Sequence, residues 1–124
     1  MNKKQIISEA KKVLSIELKS IKSISSSLNN NFYNVIKTIF ENKGRVIVTG
    51  IGKSGHIAHK ISATLSSVGC PSFSLAASDC SHGDLGSISK KDVLILFSNS
   101  GETQELKPVI QYANRNKIIL IGIV

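Results

Sequence analysis

Arg45-Val46-Ile47-Val48-Thr49-Gly50-Ile51-Gly52-Lys53-Ser54-Gly55 is the stretch that decides the fold. A short β-branched run reads as a strand, and the glycines that close it read as a tight turn. Ile57, Ile61, Ala63, Thr64, Leu65 and Val68 follow at helical spacing, with Gly69 placed to end the helix. Pro71 to Ala76 then gives a weak strand signal, and residues 77–91 form a loop rich in Ser, Asp and Gly. Asp92-Val93-Leu94-Ile95-Leu96-Phe97 reads as a buried strand and Ser98 to Thr103 as a turn into a helix over about residues 102–115. Lys117 to Val124 is a last apolar strand. Strands alternating with helices predict a three-layer α/β domain around a parallel sheet.

Upstream the period changes. Ile7, Ala10, Leu14, Leu18, Ile21, Ile24 and Leu28 recur at spacings of three and four, which predicts one amphipathic helix over residues 3–28. Ser25 to Asn31 reads as a turn. Phe32, Val35, Ile36, Ile39 and Phe40 predict a second helix, with Gly44 placed to end it. The chain thus divides into a helical arm, residues 1–43, and an α/β domain, residues 44–124. A buried parallel strand needs cover on both faces. Four strands with one or two covering helices leave much of the sheet bare, so the domain is expected to be truncated after its fourth strand.

At 124 residues and 41% hydrophobic content the chain supports one core and is too short for two ordinary domains. Its apolar runs fall far short of the roughly 20 residues of a membrane span. The basic N-terminus lacks the apolar stretch of a secretory signal, so a cytoplasmic protein with no membrane partner is expected. Cys70 and Cys80 carry no CxxC pattern and read as reduced thiols. The net charge of +8 is spread along the chain, +5 over residues 1–43 and +3 over residues 44–124. With no dense basic cluster and no reading motif, a nucleic-acid partner is not expected.

The glycine turn has the GxGxxG spacing between a strand and a helix, where free helix N–H groups favour an anion. A dinucleotide site wants an acid about 20 residues further on, but position 70 is Cys and the nearest acid is Asp79. A Walker loop wants a glycine where Ile47 stands. A phosphate or sugar-phosphate turn carrying Lys53, with Gly52 and Ser54 at the ligand, weighs equally with a plain tight turn. The second turn, Ser98-Asn99-Ser100-Gly101-Glu102-Thr103, tips that balance. Ser98, Ser100 and Thr103 can donate to phosphate oxygens at another helix start, and helix capping alone needs fewer hydroxyls. Both turns sit at carboxyl ends of parallel strands, where such sheets bind ligands. Glu102 and Glu105 fall in the first helical turns, either to complement the helix dipole or to transfer a proton. His82 is a loop histidine, usually surface decoration, and His56 and His59 have no assigned role.

Three ordered segments together carry a resemblance. They are Val48-Thr49-Gly50-Ile51-Gly52-Lys53-Ser54-Gly55-His56-Ile57-Ala58, Ser81-His82-Gly83-Asp84-Leu85-Gly86 and Ser98-Asn99-Ser100-Gly101-Glu102-Thr103. In order and spacing they resemble the sugar-isomerase (SIS) domain, in its arabinose-5-phosphate isomerase branch. The resemblance implies an SIS fold and interconversion of D-arabinose 5-phosphate and D-ribulose 5-phosphate, feeding lipopolysaccharide synthesis. It implies catalytic roles for Lys53 and Glu105, a substrate position for His82 and a phosphate loop from Ser98 to Thr103. It also implies a small-molecule pentose phosphate as partner, no cofactor, and a homo-oligomer or a partner supplying a missing C-terminal part. Ala76 stands where family members often carry a histidine proposed as a metal ligand, so no metal site is assigned.

Aldose–ketose isomerisation moves a proton between C1 and C2 through an enediolate and needs a base and an electrophile. Glu105 and Lys53 supply those two chemistries, and the sequence leaves open which acts where. A further glutamate and histidine of the family site lie downstream, with the rest of the isomerase domain and a pair of CBS domains. The chain alone is therefore expected to be a poor isomerase with an exposed apolar edge at Lys117–Val124. The alternatives are a non-catalytic sugar-phosphate module and an inert fragment of a split isomerase gene.

Overall fold

The computed structural model describes residues 2–124, and at Ser81 and His82 it describes the backbone alone. The chain forms two compact units, one running up to Lys37 and the other spanning Thr38–Val124.

The first unit is helical. Helix α1, Lys3–Ile24, starts at a capping box in which the Asn2 side chain accepts from Gln5 N–H at 3.0 Å. The Gln5 side chain accepts from Asn2 N–H at 2.8 Å in return. The helix ends four residues earlier than its apolar period predicts. The hydroxyls of Ser23, Ser26 and Ser27 donate to the carbonyls of Ser20, Ser23 and Ile24, and Ser25–Ser27 tightens into a 3₁₀ turn. Serines compete in this way with the helical ladder. Helix α2, Asn30–Glu41, follows. Neither helix has a buried residue.

Gly44 does not cap α2 as predicted. A Cβ there would collide with the Lys91 carbonyl, so the glycine is required for two backbones to pass closely.

Four strands form the sheet: β1 Val46–Gly50, β2 Ser72–Ala76, β3 Val93–Phe97 and β4 Ile119–Ile123. The order is β2-β1-β3-β4, and every pairing is parallel. Central β1 is buried throughout, as a strand covered on both faces must be. With period 2, its side chains divide between the faces. Ile47 joins Leu94, Leu96, Leu106, Val109 and Ala113 in the main apolar cluster. Val46 and Val48 point to the other face, beneath the buried Ala58 and Ser62 of α3, Lys53–Ser67.

Helix α4, Lys107–Asn116, starts five residues later than predicted. Pro108 has no N–H to give to the preceding turn, so Gln104–Leu106 forms a 3₁₀ turn and the helix begins beside the proline. Glu102 and Glu105 accordingly lie outside the first turn of α4, which contains no acid. The expected edge on β4 is present, with Ile119 51% and Ile123 44% exposed.

The topology places the site. From β1 the chain crosses through α3 to β2 on one side, and from β3 through α4 to β4 on the other. Strand order reverses between β1 and β3, and open parallel sheets bind ligands at such a reversal, above the carboxyl ends of the strands.

Candidate functional site

Two of the three glycines in the first turn serve packing. A Cβ on Gly50 would stand 2.8–2.9 Å from Ser54, and a Cβ on Gly55 would stand 3.0 Å from the Gly50 carbonyl. Strand and helix therefore touch backbone to backbone. Gly52 is different: its φ of +55° lies in the left-handed region, and nothing stands within 4 Å of its Cβ direction. It occupies the N-cap of α3 and supplies no side-chain cap, so this 15-residue helix opens towards the turn without a capping group.

The second turn is tied by its first hydroxyl. Ser98 is buried, its N–H donates to the Ile123 carbonyl at 3.1 Å, and its Oγ accepts from Gly101 N–H at 3.0 Å. The same Oγ shares a hydrogen bond with Thr103 Oγ1 at 2.8 Å. Gly101, at φ +71°, makes the bend. Ser98 and Thr103 are thus engaged with each other, whereas Ser100 is exposed and accepts from Glu102 N–H at 3.2 Å. No side chain of this turn caps the 3₁₀ segment or α4, so the capping alternative does not describe it.

The two turns meet. Ser54 and Ser98 line one cleft of about 220 Å³, with Ile57, Phe97, Asn99 and Val124 around it. Thr103 lines a separate cleft of about 330 Å³ with Glu102 and Lys107. Lys53, Ser100 and Glu105 are exposed and line neither. The side chain of His82 lies outside the described residues; its backbone belongs to the 3₁₀ turn Asp79–His82.

His56 and His59, which carry no expected role in the sequence, both line a cleft of about 410 Å³ beside Gly50 and Gly52. His59 Nδ1 is 2.9 Å from Ser74 Oγ across that cleft. Their three-residue spacing on the helix leaving the glycine turn was the available signal. Cys80 lies nearby in the chain as a free buried thiol. Burial, and then Asp84 and Asp79, push it up to about 11, so it stays a thiol at neutral pH.

Thr49 is fully buried, and among the described residues its Oγ1 is the buried side-chain polar atom without a hydrogen bond. Leaving such a hydroxyl unpaired costs about 1–3 kcal/mol.

A family model described as the SIS domain matches residues 39–124. The chain belongs to the SIS family. Among curated relatives, the arabinose 5-phosphate isomerase KdsD of Yersinia pestis is 42% identical over 111 residues, which is 90% of this chain and 34% of that protein. KdsD of Pseudomonas aeruginosa is 39% identical over 116 residues, 94% of this chain and 36% of that protein. The chain therefore spans about a third of the length of these relatives. Among solved structures, an Escherichia coli CFT073 protein in complex with arabinose 5-phosphate superposes with a TM-score of 0.92 at 39% identity. That match covers 98% of this chain and 65% of the other. No helix among the described residues is long and apolar enough to cross a membrane.

Proposed function

We propose that this chain binds a pentose phosphate above β1 and β3 and contributes to interconverting D-arabinose 5-phosphate and D-ribulose 5-phosphate. The observation that carries the reading is the cleft shared by Ser54 and Ser98 at the reversal point of an SIS sheet. The phosphate sits at the open start of α3, where the helix dipole favours an anion, and against the exposed hydroxyl of Ser100. Ser98 and Thr103 hold the second turn in shape beneath it. Lys53 and Glu105 supply a cation and a carboxylate, the two chemistries that an enediolate intermediate requires. The likeness to proteins named arabinose 5-phosphate isomerase, and to a structure holding that sugar phosphate, supports this substrate class. In this reading the chain works in the cytoplasm as a homo-oligomer or with a partner, and its product chemistry feeds lipopolysaccharide synthesis.

A second reading is sugar-phosphate binding without turnover. It is favoured by Lys53 and Glu105 standing exposed and outside the shared cleft. Calorimetric titration with D-arabinose 5-phosphate, followed by an isomerase assay on the same sample, separates the two. Binding with turnover that falls at least a hundredfold in Lys53→Ala and Glu105→Gln supports the isomerase, since acid–base groups contribute roughly 10²–10⁴-fold. Binding without turnover supports the second reading. A chain that binds no sugar phosphate overturns both.

A further inference from the structure

We propose that Thr49 is a positioning residue of the sugar-phosphate site, acting through the Gly50–Ser54 turn; this rests on the function proposed above.

Thr49 lies in register with Leu75 of β2 on one side and Leu96 of β3 on the other. Both leucines belong to the apolar cluster, as does Ile47 two residues earlier on the same face, and Ile51 packs against it. Valine has the shape of threonine and would suit these surroundings better, because it brings no hydroxyl to satisfy. A polar atom kept in such a place calls for a use.

Its position supplies one. Thr49 is on the last rung but one below both turns: it immediately precedes Gly50, which pairs with Phe97, and Leu96 lies two residues before Ser98. Gly50 cannot shift without Ser54, since the two touch, and Ser54 and Ser98 line one cleft. An anion drawn onto the start of α3 therefore pulls on the backbone attached to Thr49. Among the described residues its hydroxyl is the buried side-chain polar atom without a partner, so it can take up a new hydrogen bond as the turn settles around the ligand. The fold gains nothing from this group as it stands, and a bound state that satisfies it is favoured over one that does not.

The test compares Thr49→Val and Thr49→Ser with the parent chain, by thermal melting without ligand and by calorimetric titration with D-arabinose 5-phosphate. Thr49→Val is expected to melt at or above the parent temperature and to bind about tenfold more weakly. Thr49→Ser, which keeps the hydroxyl, is expected to bind within about threefold of the parent. Unchanged affinity in Thr49→Val overturns the proposal and leaves the sugar-phosphate reading intact. So does a Thr49→Val chain that melts well below the parent, because the hydroxyl then serves the fold itself, through an internal water for example. A parent chain that binds no sugar phosphate overturns both.

Discussion

Arg45 and Asp92, 47 residues apart, close the end of the sheet opposite the site. Arg45 Nη2 donates to Asp92 Oδ2 at 2.8 Å, and Arg45 Nε and backbone N–H donate to Oδ1 at 3.3 and 2.9 Å. Ser89 N–H gives the carboxylate a further donor at 2.7 Å. The guanidinium also donates to the Ser87 carbonyl and lies 5.1 Å from the centre of the Phe73 ring. One carboxylate thus fastens the 87–92 segment to the start of β1 and, through Arg45, to β2.

Asp92→Ala should cost about 2–4 kcal/mol. Breaking a buried ion pair costs about 3–5 kcal/mol when the remaining charge is trapped. Here Asp92 is 2% exposed but Arg45 is 43% exposed, so the orphaned guanidinium reaches water and the loss falls towards the lower end. Urea unfolding of the two chains measures it, and a difference under about 1 kcal/mol would show that the pair is ornamental.

Acid should remove the same stability. Burial pushes the Asp92 carboxyl up, but the donors from Arg45 and Ser89 outweigh it and hold the group at about 2. In the unfolded chain an aspartate titrates near 3.9. The unfolded state takes up the proton first, so this contribution is complete above about pH 5 and is lost progressively as pH falls towards 2. The change amounts to about 2 kcal/mol. Stability measured between pH 5 and pH 2 should lose that much more in the parent than in Asp92→Asn, in which nothing titrates at this position.

The glycines of the first turn should separate by role. Gly50→Ala forces backbone apart at the strand–helix contact, for about 1–3 kcal/mol. Gly52→Ala meets no atom, but must hold a left-handed φ, for about 1–2 kcal/mol. Gly86→Ala meets neither obstacle and should fall within about 0.5 kcal/mol of the parent. An equal cost at all three positions would remove the packing explanation of the GxGxxG spacing.

What could be read from the sequence was local. The run Arg45 to Gly55 announced strand, turn and helix because β-branching, glycine spacing and helical period each leave a mark on neighbouring residues. The buried run of β3 did the same. Pro108 is visible in the sequence, yet its effect depends on where the chain stands relative to the sheet, so the helical period alone predicts too early a start for α4. Gly44 looked like a helix stop because the Lys91 carbonyl that demands a glycine is remote in sequence. The Arg45–Asp92 pair left no local signal for the same reason. At the site, the hydroxyls of Ser98, Ser100 and Thr103 were legible as a group. Their division into an internal pair and an exposed third required coordinates.

That division makes Ser98 and Ser100 differ under the same substitution. Ser98→Ala removes a buried acceptor from Gly101 N–H and the partner of Thr103, so the turn loosens and the chain should lose about 1–2 kcal/mol of stability. Sugar-phosphate binding should weaken with it, because a cradle that must be ordered on binding binds less tightly than one already formed. Ser100→Ala removes an exposed hydroxyl whose only described bond is to the nearby Glu102 N–H, so its melting temperature should stay close to the parent's. If Ser100 meets the phosphate, the loss is confined to binding. A hydrogen bond to a charged group is worth about 1.5–3 kcal/mol, which is roughly a ten- to hundredfold rise in Kd for D-arabinose 5-phosphate. Thermal melting and calorimetric titration of both variants give the four numbers needed. A Ser100→Ala chain that binds as the parent does would remove Ser100 from the phosphate site, and a Ser98→Ala chain of parental stability would show that its hydrogen bonds do not hold the turn.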